Sequence, residues 1–306
     1  MHYITEEDVE RNLGVKETVE ILEEAFLSYS SGTSFYRPRE RIIFDETVFN
    51  TMPGVFQHRN LAGLKTYIAN RNGARFVVII FDTRKSELLA VIEANKLGQI
   101  RTGALPAMVT RRMVKGKNQG FCVIGSGYQA ETQLEAMASV FSLDSVSVYS
   151  RTFSNAKKFA ERMQKKIGLE VKAHESVSAA LRDATIINTI TDSNNSIFSR
   201  KDLGEEYHVN LCGGNIPNRR EAAEDVLVDS DLIVVEDMEQ AMMESGEIIS
   251  LTKNHPGKKC VELGDFMKME KGELNGKRKT VFKSMGIGLE DVAAGYALMK
   301  NMGLLK

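Results

Sequence analysis

The sequence carries no excess of charge of either sign: 40 Lys and Arg stand against 41 Asp and Glu, for a net charge of −1. That balance excludes a generic electrostatic grip on nucleic acid or on an anionic membrane as the main activity. Long apolar runs are missing too. A bilayer span needs roughly 20 consecutive apolar residues, and the longest candidates are short stretches such as 76–81. Cysteine is scarce, with Cys122, Cys212 and Cys260 odd in number and widely spaced. They are expected to be free thiols of a reduced, cytoplasmic protein rather than a disulfide framework or a metal cluster. The five histidines share no metal-ligand spacing with one another or with the cysteines, so no metal is expected. The first eight residues are polar and acidic, with no basic segment leading into an apolar one, so no targeting signal is expected.

What is present is an ordinary globular composition, 42% hydrophobic and 26% charged over 306 residues, enough for about two domains. Near the start, Thr5 is a helix N-cap followed by acids, and Val15, Val19, Leu22 and Phe26 repeat at helical spacing. Short strand-like runs then follow at 41–44, 61–69, 75–81 and 87–93, which predicts an antiparallel or mixed sheet. Residues 49–58 and 194–199 read as loops. A helix at 100–113 ends in the polar stretch 115–120, the expected domain boundary. Beyond it strands at 121–124, 145–149, 170–173, 185–189, 208–211 and 232–236 alternate with helices at 128–141 and 154–167. Continuous apolar strands alternating with helices predict a doubly wound parallel sheet. A last amphipathic helix is expected at 289–301.

The sharpest local signal is Gly125-Ser126-Gly127-Tyr128-Gln129-Ala130, of the form G-x-G-x-x-A, directly after a buried strand and opening a helix. Gly125 permits the tight turn, Gly127 lets the backbone approach a pyrophosphate, and Ala130 keeps helix and sheet close. The free N–H groups of the helix start suit the anion. Alone the triplet equally describes a tight strand–helix turn; in this strand–helix context it points to a dinucleotide. The fingerprint expects an acid about 20 residues further on to hold the ribose 2′-hydroxyl. Here that position is Ser150, followed by Arg151 and Thr152. Serine does not repel a 2′-phosphate and a guanidinium can bind one, so NADP(H) is favoured and NAD(H) remains possible.

Several short patterns, taken in order, resemble one family. They are Pro38-Arg39, Met52-Pro53, Gly63-Leu64-Lys65, Ile100-Arg101-Thr102-Gly103-Ala104, the glycine turn at 125–130, Cys212-Gly213-Gly214-Asn215, Val281-Phe282-Lys283-Ser284-Met285-Gly286 and Glu290-Asp291. The chain is thereby identified as similar to the ornithine cyclodeaminase/mu-crystallin family, which includes archaeal-type alanine dehydrogenases and cyclic ketimine reductases. The resemblance implies a homodimer and two domains. One, residues 1–115 with 289–306, is an α+β substrate and dimerisation domain completed by the C-terminal helix. The other, residues 116–288, is a Rossmann domain holding the cofactor. It further implies that Arg39 binds a substrate carboxylate beside Met52, with Arg41 a less well-matched candidate. Lys65 contacts the same carboxylate and assists proton movement. Arg101 lies between substrate and cofactor, with Thr102 near the phosphates. Thr191, Gly213 and Gly214 contact the cofactor, and Ser284 and Met285 stand beside nicotinamide and substrate.

Elementary chemistry runs parallel to the resemblance. A small 2-amino or 2-imino acid needs its carboxylate fixed, for which arginine is the natural planar fork. A lysine in a poorly hydrated pocket can exchange a proton near neutrality. One departure is chemically consequential. Asn215 stands where the cyclodeaminases of the family carry an aspartate as general acid or base, and asparagine cannot carry a proton. Lys283 stands where many members carry an aspartate. The expected function is therefore an NAD(P)H-dependent oxidoreductase interconverting a small 2-amino acid with its 2-imino or 2-oxo acid. The alternatives are a redox-neutral ornithine cyclodeaminase, an NADPH-dependent small-ligand binder of the mu-crystallin type, and an opine-type dehydrogenase. Neither nucleic acid nor membrane is an expected partner.

Overall fold

The computed structural model describes residues 1–116, 118–270 and 272–305, so Lys117 of the polar stretch and Lys306 lie outside the described residues. The chain forms two compact units, Met1–Ala104 with Gly286–Lys306, and Leu105–Met285. The division falls inside a helix, and the polar stretch at 115–120 lies within the second unit.

In the first unit β1 (His2–Ile4) leads into α1 (Glu6–Asn12) and α2 (Val15–Ser30). A reciprocal capping box starts α1, with Thr5 Oγ1 accepting from the Asp8 amide while the Asp8 carboxylate accepts from the Thr5 amide. In α2, Val19, Leu22, Ala25 and Phe26 are buried, one stripe of a 3.6-residue period. Then come β2 (Phe35–Tyr36), β3 (Glu40–Phe44), β4 (Thr47–Phe56), β5 (Leu61–Asn70), β6 (Gly73–Asp82) and β7 (Glu87–Glu93), followed by α3 (Asn95–Met113). The sheet order is β1-β7-β6-β5-β4-β2, with β3 also on β4. It is mixed, because β1 runs parallel to β7 and the other pairs are antiparallel.

The C-terminal helix, Gly288–Asn301, packs on β4, β5 and β6 and against α2. Glycine permits the approach: a Cβ on Gly54 would lie 2.5 Å from the Leu289 amide, and one on Gly288 would lie 2.2 Å from the Met52 carbonyl. Leu289, Val292 and Leu298 are fully buried in the contact, each contributing about 2 kcal/mol.

The second unit continues with β8 (Asn118–Ile124), α4 (Tyr128–Val140), β9 (Ser142–Tyr149), α5 (Phe153–Ile167), β10 (Lys172–His174), α6 (Val177–Leu181), β11 (Ile186–Thr189) and β12 (Tyr207–Leu211). After these come α7 (Glu224–Asp229), β13 (Leu232–Val235), α8 (Met238–Glu244), α9 (Gly246–Asn254), β14 (Val261–Glu262), α10 (Leu263–Phe266) and β15 (Lys279–Lys283). All eight strands are parallel, in the order β10-β9-β8-β11-β12-β15-β13-β14. This is the expected doubly wound sheet, and its strand order reverses direction between β8 and β11. Ligands bind such sheets at that switch point, outside the carboxyl ends of the strands. In β11, β12 and β13 every residue is buried, as strands covered on both faces require.

Five strands depart from the sequence reading: β1, β2 and β14, each two or three residues long, and the longer β4 and β15. Residues 47–56 form the long strand β4, where 49–58 was expected to be loop, because Pro53 and Gly54 break the strand pattern locally while the neighbours β3 and β5 hold it. Likewise β15 sits between β12 and β13, a central place that its short, lysine-flanked sequence does not announce.

A chain of polar side chains crosses the core of this sheet. Asn188 donates to Gln133 Oε1 at 2.6 Å and Asn210 donates to Asn188 Oδ1 at 2.8 Å. His208 bridges Asn210 Oδ1 at 3.1 Å and Thr280 Oγ1 at 2.8 Å. Asn210 spends its amide protons on Asn188 and Thr110, so its oxygen accepts, Nε2 of His208 carries the proton, and Nδ1 accepts from Thr280. Burial pushes the His208 imidazole down to about 4, so the folded state binds a proton later than the unfolded chain. Stability is therefore lost as pH falls from about 6.5 towards about 4, by about 2 kcal/mol at pH 5. Urea unfolding of the wild type and His208→Gln at pH 7 and pH 5 measures this. The wild type is expected to lose about 2 kcal/mol more than the variant over that interval, and equal losses would refute the assignment.

Candidate active site

In the first unit, antiparallel pairing brings Lys65, at the centre of β5, beside Met52 of β4 and Val78 of β6. All three are buried. The Lys65 ammonium donates to Asp291 Oδ1 at 3.0 Å and lies 5.3 Å from the centre of the Phe76 ring. Arg101, on α3, donates through Nε to the same Asp291 oxygen at 3.2 Å and through a terminal nitrogen to Glu290 Oε2 at 2.9 Å. Arg39, between β2 and β3, places Nε 3.5 Å from the Met52 sulfur and donates to the Gly286 carbonyl at 3.2 Å. Arg39, Lys65 and Arg101 are at most 8% exposed, and Glu290 and Asp291 are fully buried. Thr102, next along α3, is half-buried. Burial pushes the Lys65 amine down to about 8; Arg101 and Arg39 act in the same direction, and Asp291 opposes them.

In the second unit the chain turns at Gly125 with φ +120, a conformation open to glycine, and a Cβ there would lie 2.5 Å from the Ile190 carbonyl. Gly127 is the N-cap of α4, has no side-chain cap, and faces open space where a Cβ would be. Tyr128 is exposed, Gln129 half-buried and Ala130 fully buried against the sheet. These features fit a pyrophosphate laid over the turn. Ser126 Oγ donates to Ser150 Oγ at 2.9 Å across the ends of β8 and β9, and Arg151 and Thr152 beyond them are exposed.

The loops after β11 and β12 are held by one side chain that local sequence gives no reason to notice. The buried Glu221 accepts from the Thr189 hydroxyl at 2.6 Å, from the Thr191 amide at 2.7 Å and hydroxyl at 2.8 Å, and from the Gly213 amide at 2.7 Å. Burial pushes its carboxyl above the usual range, with Lys283 opposing. The fully buried Lys283 donates to the Gly214 carbonyl at 2.8 Å and stands 3.7 Å from Glu247. Glu236 accepts from the Ser284 hydroxyl at 3.3 Å and the Met285 amide at 2.6 Å. Asn215 is half-buried beside Gly214. The loops after β11, β12 and β15 are thus each tied down by a buried charged side chain. Glu221, Glu236 and Glu247 escaped the sequence reading because isolated glutamates carry no local pattern. Glu290 and Asp291 stood in the quoted pattern, but only the packing of the C-terminal helix brings them to Lys65 and Arg101.

The cysteines are free, Cys122 being buried and the other two half-buried. Among the described residues no group of three or more His, Cys, Asp or Glu is arranged to hold a metal ion, and no helix is long and apolar enough to cross a membrane.

Known proteins match most of the chain's length in sequence and in fold. Delta(1)-pyrroline-2-carboxylate reductase of Bacillus thuringiensis subsp. konkukian is 31% identical over 261 residues, covering 82% of this chain and 80% of the relative. Ketimine reductase mu-crystallin of Macropus fuliginosus is 27% identical over 316 residues, covering 95% and 94%. The structure of Thermococcus litoralis Delta(1)-pyrroline-2-carboxylate reductase, in complex with NADH and L-proline, superposes with a TM-score of 0.89 at 26% identity, over 98% of this chain and 97% of that one. The profile of the ornithine cyclodeaminase/mu-crystallin family matches residues 2–302, and the chain belongs to that family.

Proposed function

We propose that this member of the family is an NAD(P)H-dependent oxidoreductase that interconverts a small 2-amino acid with its 2-imino or 2-oxo acid, a cyclic ketimine such as 1-pyrroline-2-carboxylate being the first substrate to try. The observation that carries this reading is the buried lysine of the first unit, which shares one carboxylate oxygen with the buried Arg101, and whose amine burial pushes down to about 8. The first unit is the substrate unit, and the second holds the dinucleotide. Arg39 and Arg101 bind the substrate carboxylate, with Met52 and Met285 as apolar contacts. The Lys65 ammonium gives a proton to the imine nitrogen, which makes the α-carbon electrophilic, and is reprotonated from solvent; in the reverse direction its amine takes that proton back. Bound nicotinamide supplies or accepts the hydride at the α-carbon. Gly125, Gly127, Tyr128, Gln129 and Ala130 cradle the pyrophosphate, with Thr102, Thr191, Gly213, Gly214 and Ser284 as further cofactor contacts. Asn215 hydrogen-bonds the substrate nitrogen. Its inability to exchange a proton favours redox chemistry over ornithine cyclodeamination.

The test is NADPH or NADH oxidation, followed by absorbance, with cyclic ketimines and with 2-oxo acids plus ammonia. Release of proline and ammonia from ornithine without net cofactor consumption would instead make the chain a lyase. In the reductive direction kcat/KM is expected to fall as pH rises through about 8, where Lys65 loses its proton, and in the oxidative direction to rise over the same range. Lys65→Met is expected to lose about 100-fold or more in kcat.

NADP(H) is the preferred cofactor in this reading. The Ser126–Ser150 hydroxyl pair and the exposed Arg151 occupy the place where a carboxylate would reject a 2′-phosphate. Arg151→Ala is expected to raise KM for NADPH about tenfold and leave KM for NADH unchanged. Steady-state kinetics with both cofactors decide it.

Assembly as a homodimer is proposed through the outer face of the first unit's sheet. There Ile42, Phe49 and Ile68 form a cross-strand row, exposed at 62%, 38% and 42%, an apolar patch that monomers seldom leave open. Ile42→Asp is expected to shift the protein from dimer to monomer in sedimentation velocity. A monomeric wild type would overturn this.

A further inference from the structure

The cluster in the first unit contains an atom that a structural ion pair does not require. Asp291 is fully buried, yet only Oδ1 is engaged, accepting from both Lys65 and Arg101, while Oδ2 accepts no hydrogen bond among the described residues. Burying a carboxylate oxygen unbonded is costly, more so than burying a neutral polar atom. The sharing has a chemical consequence. When Lys65 gives up a proton and becomes neutral, Arg101 still balances Asp291 at 3.2 Å, so no buried carboxylate is left without its counter-ion. Glu290 holds the other end of the same guanidinium at 2.9 Å and keeps it in place through that change.

A second feature of the same cluster lies on α3, one turn before Arg101. A Cβ on Gly98 would stand 3.0 Å from the Lys65 nitrogen. The ammonium therefore occupies space that any other residue at 98 would fill. Gly98 is itself helical, its amide bonded to the Ala94 carbonyl at 3.0 Å, and its φ is not in the left-handed region. Helix geometry gives no reason for glycine here, and alanine would favour the helix.

We propose that Asp291 and Gly98 are positioning residues for the proton-carrying lysine: Asp291 anchors the Lys65 ammonium from the C-terminal helix, and Gly98 leaves the space on α3 into which it is drawn. The proposal rests on the reading of Lys65 as the proton carrier. The charged groups that face Lys65 are Asp291 from the C-terminal helix, Arg101 from α3 and Arg39 from the segment before β3, with the Phe76 ring of β6 alongside.

Two variants test it in NADPH-dependent reduction of a cyclic ketimine. Asp291→Asn removes the anion bonded to Lys65 and leaves both arginines. The pH at which reductive kcat/KM falls is expected to move down by about one unit or more, and kcat to drop on the order of 10- to 100-fold, with KM for NADPH unchanged. Gly98→Ala is expected to melt at the same temperature as the wild type or higher, yet to lose about tenfold in kcat, because its methyl group displaces the ammonium from Asp291. An Asp291→Asn enzyme with the wild-type pH profile, or a stable Gly98→Ala enzyme with wild-type kcat, overturns the proposal. Should Asp291→Asn fail to fold, Gly98→Ala decides alone. Failure of the underlying reading looks different: Lys65→Met would then keep the wild-type rate.

Discussion

Lys65 and Asp291 are 226 residues apart in sequence and 3.0 Å apart in space, and the candidate chemistry of the first unit depends on that contact. It exists because the C-terminal helix returns to the sheet that the N-terminal part of the chain has built. The return is apolar in its energetics, with Leu289, Val292 and Leu298 buried on β4 to β6. Its depth is set by backbone meeting backbone at Gly54 and Gly288. Larger residues at either place would lift the helix and draw Asp291 away from Lys65. Glu290 and Asp291 also occupy the first turn, where the helix dipole favours carboxylates. One packing decision thus delivers two anions to two buried cations, Lys65 and Arg101, and removes water from all four.

The second unit uses buried charge for another purpose. Glu221 accepts four hydrogen bonds, one from the end of β11 and three from the loops after β11 and β12, Glu236 holds the chain after β15, and Lys283 fixes the carbonyl of Gly214. Loops at the carboxyl ends of parallel strands are free to carry function because the sheet beneath them is rigid, but their own amides need partners once buried. A carboxylate with four lone-pair positions satisfies several at once. The network thereby converts irregular chain into a defined surface at the switch point of the sheet. Asn215 belongs to one of these tied loops, so a change in its chemistry leaves its setting intact.

How much of this was legible beforehand follows the range of the interactions. The N-cap at Thr5, the stripe of α2 and the apolar runs of β5 and β6 arise from neighbours within a few residues, and local pattern reports them. The glycine turn was legible for the same reason, since the strand, the two glycines and the helix start are contiguous. Strand β4 was not, because Pro53 and Gly54 interrupt its pattern and only pairing with β3 and β5 makes it a strand. Strand β15 was hidden because its centrality comes from β12 and β13 on either side.

Family resemblance supplied the reading of Asn215 as standing where the cyclodeaminases carry an aspartate, and the sequence by itself determined that the chain alternates strand and helix into a doubly wound sheet and that one strand–helix turn is shaped for a dinucleotide. These are properties of residue type and local order. The tertiary structure alone decided that Asp291 shares one oxygen between Lys65 and Arg101, that Gly98 yields its side-chain space to an ammonium, and that Glu221 binds two loops together. Such relations depend on the positions of groups brought together from distant parts of the chain, where burial sets the strength of each charge, and no local pattern encodes that distance.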